Sequence, residues 1–151
     1  MKRRMDGHVI DRALSTCPIT RDLYRGVLTG DAPTPCRLGP GFYVYNTDEA
    51  SQPGRHWVAQ YRTGSRVLHF DSYGLPPFGA MRRSMAREEC PVDYRILRLQ
   101  GNGTTCGHYC LYYALHCADP YAYPMTVFDT EDWDWNDVKV VGITRNIFKG
   151  I

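Results

Sequence analysis

The run from Cys106 to Cys117 constrains the fold of this chain more than any other segment. Almost every residue in it is apolar or aromatic. It follows Gly101, Asn102 and Gly103, a glycine-rich connection that interrupts regular structure. A helix without a polar face must be covered on all sides, so the run predicts a buried central helix. The rest of the chain must supply the layers around it.

Several other stretches have the composition of strands or helices. Aromatic and β-branched residues predict strands over Gly41–Thr47, His56–Arg62, Arg66–Tyr73 and Asp93–Leu99. The tight turn Thr63, Gly64 and Ser65 joins the second and third of them and predicts an antiparallel hairpin. Helices are predicted over Met5–Ala13, Phe78–Cys90 and from about Asp134 to Ile147. We therefore expect an α+β fold, with a small, mostly antiparallel sheet, a central buried helix and flanking helices.

Length and charge narrow the class of protein. A chain of 151 residues is long enough for one core, so a single domain over residues 1–151 is expected. The net charge of +2, from 18 basic and 16 acidic residues, does not by itself indicate a nucleic-acid binder. No apolar run approaches the roughly 20 residues of a membrane span. The basic N-terminus is not followed by an apolar stretch, so we expect no secretion.

The six cysteines raise the question of their chemical state. A protein that is not secreted meets a reducing compartment, where thiols stay free. Free thiols serve as core residues, metal ligands or nucleophiles. Cys110 and Cys117 lie within the predicted central helix and are interpreted as small core residues.

Cys106 is the candidate nucleophile because it opens the predicted central helix. The first turn of a helix carries unpaired N–H groups and a partial positive charge. Both favour a thiolate over a thiol. The N–H of Cys106 or Gly107 could also bind an oxyanion. A buried core cysteine is the alternative at this position.

His56, Asp71 and Gln100 could complete a site around such a thiolate. His56 stands eight residues before Gly64 and Asp71 seven residues after it, so the hairpin brings both to one edge of the sheet. Asp71 could then hold one imidazole nitrogen and fix the tautomer. Gln100 precedes Cys106 by six residues and could donate its amide N–H to an oxyanion. Taken alone, a His–Asp pair is more often a surface ion pair.

The order His, Asp, Gln, Cys and the residues around each resemble adenain-like cysteine proteases. These are the adenovirus-type maturation endopeptidases, with relatives in Polinton-type elements and other double-stranded DNA viruses, and SUMO proteases belong to the same clan. The similarity covers about residues 15 to 117. It lies in the motifs Pro53–Ala59, Phe70–Pro77, Leu99–Gln100 and Cys106–Tyr113, and in the strand Tyr43–Thr47.

The resemblance implies a cysteine endopeptidase that cleaves viral or virus-like precursor proteins at Gly-containing sites during particle maturation. Cys106 would be the nucleophile, His56 the base and Asp71 its orienting partner. Gln100 and the backbone of Cys106 would form the oxyanion hole. The adenovirus enzymes have Glu where this chain has Asp71.

Further expectations follow from the same resemblance. Trp57, Gly54 and Asn46 would contact substrate, although plain core packing is an equal interpretation of Trp57. The adenovirus enzymes are activated by a disulfide-linked peptide and by DNA, which makes Cys90 a candidate regulatory cysteine. Basic residues could contact DNA non-specifically, namely Lys2, Arg3, Arg4, Arg82, Arg83 and Arg87, although with a net charge of only +2 a solvated helix face is the preferred interpretation. No cofactor is chemically required, and we expect a monomer in the virion, the host nucleus or another reducing compartment.

Two alternatives remain open at this point, and a metal site is also considered. The chain could be an isopeptidase acting on SUMO or NEDD8 conjugates, since that clan shares the four residues in the same order. It could be an inactive capsid-binding or DNA-binding module of the same fold. Cys106, His108, Cys110, His116 and Cys117 crowd one segment, but they lack the paired spacing of a zinc site, so no metal is expected.

Overall fold

One five-stranded sheet forms the centre of the computed structural model, which describes residues 5–47, 56–101 and 103–151. The strands lie in chain order: β1 (Tyr24–Thr29), β2 (Gly41–Asn46), β3 (Trp57–Thr63), β4 (Arg66–Phe70) and β5 (Val92–Tyr94). The helices are α1 (Gly7–Thr16), α2 (Pro35–Leu38), α3 (Gly79–Arg87), α4 (Cys106–Ala118) and α5 (Trp133–Ile147), with a 3₁₀ turn at Met125–Val127. The predicted α+β class is confirmed.

The sheet is mixed, which corrects the expectation of a mostly antiparallel one. The pairs β2–β3 and β3–β4 are antiparallel, whereas β1–β2 and β4–β5 are parallel. The tight turn at Gly64 and Ser65 reverses the chain between β3 and β4, as predicted. The parallel pairs follow long connections, residues 30–40 and 71–91, which return the chain to the same end of the sheet.

Two boundaries differ from the sequence prediction. The strand expected over Asp93–Leu99 is only three residues long, because the chain then leaves β4 and the N–H groups of Leu99 and Gln100 both donate to the carbonyl of Ser72. The helix expected to reach Cys90 ends at Arg87, and Glu89 has a positive φ of 51°. The strand β1 was not predicted.

The sheet separates two hydrophobic layers. Alternate residues of β2 face opposite sides, so that Phe42 and Val44 belong to one layer, and Tyr43 and Tyr45 to the other. The larger layer contains α1 and α4, and nine residues of α4 are buried. The predicted central helix is thus confirmed. The smaller layer lies against α3, with Met81 and Met85 in its centre.

A disulfide joins Cys36, in α2, to Cys90, beyond the end of α3. The expectation that all six cysteines are free thiols is therefore wrong for this pair. The two residues are 54 positions apart but their Cα atoms are 5.7 Å apart, because α2 and the end of α3 lie on the same side of the sheet. The other four cysteines are free.

None of the helices in the described residues is both long and apolar enough to cross a membrane.

Candidate active site

His56 and Asp71 meet at one edge of the sheet. His56 directly precedes β3 and Asp71 directly follows β4, so the hairpin holds both at the same end. The His56 Nε2 lies 2.8 Å from the Asp71 Oδ1, and the side chains are 20% and 5% exposed. The Asp71 Oδ1 also accepts a hydrogen bond of 2.8 Å from the N–H of Tyr73. This second bond fixes the carboxylate so that it can orient the imidazole.

Cys106 is the first residue of α4, as the sequence predicts, and it is 2% exposed. Thr105 occupies the N-cap position but does not cap the helix with its own side chain. The partial positive charge of the helix N-terminus is therefore directed at the thiol of Cys106.

His56 hydrogen-bonds to Cys106 as well as to Asp71. Nε2 is the ring nitrogen that contacts Asp71. Burial by itself lowers the pKa of His56, but the hydrogen bonds and the negative charges of Asp71 and Cys106 raise it more, to about 9. The imidazole is therefore protonated at neutral pH, which suits an imidazolium paired with a thiolate.

Gln100 is completely buried in the connection between β5 and α4. Its Oε1 accepts a hydrogen bond of 2.6 Å from the hydroxyl of Ser72, which leaves Nε2 on the side of Gly103. The bond from Nε2 to the Gly103 carbonyl is long, at 3.4 Å. The bond to Ser72 fixes the orientation of the amide, and its N–H makes only a long hydrogen bond. Such an N–H is suited to donate to an oxyanion. Ser72 was missed from the sequence, although it directly follows Asp71.

The three residues expected to contact substrate differ in their location and exposure. Trp57 is buried in the larger hydrophobic layer, 3% exposed, and its indole N–H donates to the carbonyl of Met5 at 3.0 Å. The structure thus favours the core interpretation of Trp57 over a direct contact with substrate. Asn46 ends β2 opposite Trp57 and is partly exposed. Gly54 lies outside the described residues.

Cys90 packs against the smaller hydrophobic layer, whereas Cys106 belongs to the larger one. Cys90 is bonded to Cys36, so in this form it has no thiol to link to a peptide, contrary to expectation. Arg82, Arg83 and Arg87 are exposed on α3. Lys2, Arg3 and Arg4 lie outside the described residues. The described part of the chain contains no cluster of three or more His, Cys, Asp or Glu side chains that could hold a metal ion.

A row of rings and a guanidinium borders the site and was not predicted. The ring of Tyr73 lies 5.1 Å from that of His56, and the guanidinium of Arg98 is 5.4 Å from Tyr73 and 3.9 Å from the ring of Trp133. Arg98 also donates to the carbonyls of Gln100 and Gly101. The chain around Gln100 is thus held from the side by α5.

No protein-family model and no curated protein sequence matches the chain. Its structure is similar to the crystal structure of ASFV pS273R protease, with a TM-score of 0.59 and 17% identity over 91% of this chain and 66% of that chain. The selenomethionine form of the same protease gives a TM-score of 0.50 and 26% identity over 73% of this chain and 45% of that chain. This chain therefore spans less than two thirds of the length of these neighbours.

The likeness establishes the fold, which is that of viral cysteine proteases of the SUMO-protease type. The resemblance to the clan that the sequence motifs indicated is supported at this level. The narrower resemblance to the adenovirus-type enzymes is not what the comparisons find.

Proposed function

We propose that this chain is a cysteine endopeptidase with Cys106 as nucleophile, His56 as acid and base, and Asp71 as the orienting carboxylate. One observation carries the proposal. A single imidazole is hydrogen-bonded both to a buried carboxylate and to a cysteine at the start of a helix. This is the arrangement that nucleophilic catalysis by a thiolate needs.

In the proposed reaction, the Cys106 thiolate attacks the carbonyl carbon of the scissile bond and the carbonyl oxygen becomes an oxyanion. The amide of Gln100 and the backbone N–H of Cys106 stabilise that charge. The His56 imidazolium then donates its proton to the leaving amine and a thioester forms. Neutral His56 next removes a proton from water, which attacks the thioester, and the acid product leaves as the thiolate is restored.

We further propose that the substrates are viral or virus-like precursor proteins cut at Gly-containing sites. The resemblance to maturation proteases supports this, and so does the recessed position of Cys106, which is 2% exposed. A Gly residue next to the scissile bond has no side chain to obstruct the approach of its carbonyl to a recessed sulfur. Activation by a peptide or by DNA remains part of the proposal and can be tested in the same assay.

Hydrolysis of internally quenched peptides by the full chain tests this function, with Gly or Val next to the cut and with or without added DNA. We expect cleavage of the Gly peptides and its complete loss in Cys106→Ala. Cys117→Ala is the matched control and should cleave normally, because burial raises the pKa of the Cys117 thiol to about 12.

Other outcomes separate the alternatives. Cleavage of SUMO or NEDD8 conjugates but of none of the peptides would replace the endopeptidase with an isopeptidase. If no substrate is cleaved and iodoacetamide labels Cys106 no faster than Cys117, the proposal is wrong and an inactive module remains.

A further inference from the structure

A buried carboxylate on α5 holds together the elements that carry Gln100 and Cys106. Asp137 is 8% exposed and accepts hydrogen bonds from three residues. The N–H of Gly101 lies 3.2 Å from each of its oxygens, the Thr105 hydroxyl lies 3.2 Å from Oδ1, and the Tyr109 hydroxyl lies 2.7 Å from Oδ1. These bonds join α5 to the connection between Gln100 and α4.

Two of these donors are direct chain neighbours of the proposed oxyanion-binding residues. Gly101 directly follows Gln100, and Thr105 directly precedes Cys106. One carboxylate therefore sets the distance between the two groups that would bind the oxyanion. Tyr109 lies one turn into α4, and burial together with its bond to Asp137 raises the pKa of its hydroxyl, which keeps it a donor.

The residue at position 101 must be small for this contact to form. A Cβ atom there would lie 2.6 Å from the Asp134 Oδ1 and 2.9 Å from the Asp137 Oδ2, closer than packed atoms allow. The adjacent Asn136 adds a bond of 3.0 Å from its Nδ2 to the carbonyl of Leu99, on the other side of Gln100. The main chain before and after Gln100 is thus tied to the first turns of α5.

We propose that Asp137 is a positioning residue, which sets the geometry of the oxyanion hole through Gly101 and Thr105. The inference rests on the proposed function and deepens it. A carboxylate only accepts hydrogen bonds, and three donors converge on it, so an amide in its place would turn one N–H toward a donor. The donors Gly101 and Thr105 directly flank Gln100 and Cys106, so the effect of Asp137 should be confined to the oxyanion.

The test compares two reactions of Cys106 in Asp137→Asn. Peptide hydrolysis forms an oxyanion, whereas alkylation by iodoacetamide displaces iodide and forms none. We expect kcat to fall about 10²-fold with KM nearly unchanged, as for a small displacement of a catalytic group. A peptide aldehyde should lose affinity by a similar factor, while the alkylation rate stays within about twofold of the wild-type rate. Glu131→Gln, at an exposed carboxylate just before α5, should change none of these.

Each other outcome has a defined meaning. An unchanged kcat in Asp137→Asn, or an equal fall in hydrolysis and alkylation, would overturn the positioning role. If Asp137→Asn does not fold, Thr105→Val removes only the bond nearest Cys106 and must show the same split between the two reactions. Inactivity of the wild-type chain with unreactive Cys106 would instead overturn the proposed function itself.

Discussion

His56 and His69 lie in the same half of the β3–β4 hairpin, away from its turn, and their charges differ. His56 contacts a carboxylate and a thiol, and its pKa is raised to about 9. His69, in β4, contacts the amide of Gln60 at 3.1 Å, and burial lowers its pKa to about 4. Burial lowers the pKa of both histidines, so only the charged partners of His56 keep it protonated.

Two buried glutamines also differ in their surroundings. Gln100 is oriented by the hydroxyl of Ser72 beside the start of α4. Gln60 lies opposite His69 in the sheet, with its Nε2 also 2.9 Å from the sulfur of Met81. Within the described residues, neither the Gln60 Oε1 nor the His69 Nε2 has a hydrogen-bond partner. A buried histidine and a buried glutamine are therefore not a signature of chemistry unless ionic partners or a helix N-terminus accompany them.

The largest expected effect comes from exchanging each histidine. His56→Ala should slow peptide hydrolysis by about 10⁴-fold, since it removes both the proton donor and the partner of the thiolate. His69→Leu should keep kcat/KM within about threefold of the wild-type value. Steady-state kinetics on one Gly-containing peptide measures both. Comparable losses of activity in the two variants would show that His69 also acts in the reaction, contrary to the distinction between a reactive His56 and a structural His69.

Exchanging each glutamine should give the next largest effect. Gln100→Ala should lower kcat by about 10²–10³, the usual result of removing one oxyanion donor. Gln60→Leu should leave kcat unchanged, because its amide lies against His69 and Met81. The same assay applies, with circular dichroism to confirm that both variants are folded. Full activity in Gln100→Ala would exclude its amide from the oxyanion hole.

The sequence predicted those parts of the site that local spacing determines. The turn at Gly64 fixes which residues of β3 and β4 are neighbours, so His56 and Asp71 could be placed at one edge. The glycine-rich connection and the apolar run that follows it placed Cys106 at the start of α4. Both inferences need only the geometry of a single hairpin or helix.

The features that were missed depend on elements far apart in the chain. Cys36 and Cys90 are 54 residues apart, and no spacing rule pairs two cysteines across such a distance. Asp137 reaches Gly101 only because α5 packs against α4. The parallel pairing of β1 and β5 likewise depends on how long connections return, which strand composition does not show.

The smallest expected effect concerns stability, where the two histidines act in opposite directions. The pKa of folded His69 is about 4, below the usual 6.5, so unfolding takes up a proton between these values. Its contribution to stability is present above about pH 6.5 and is lost as the pH falls toward 4. The pKa of folded His56 is about 9, so its contribution is present below about pH 6.5 and is lost as the pH rises through 9.

His69→Leu should therefore reduce the loss of stability in acid without changing the loss in alkali. Urea unfolding of the wild-type protein and of His69→Leu between pH 7 and 4.5 measures this. The change of unfolding free energy with pH should be smaller in the variant by about 1.4 kcal/mol per pH unit, because one proton fewer is taken up on unfolding. His108, whose pKa is also lowered to about 4 by burial and Arg145, supplies a second such proton in both chains. Part of the acid slope must then survive in His69→Leu. Equal slopes in the two proteins would mean that His69 is protonated in the folded state. The two histidines would then differ in their contacts but not in their charge.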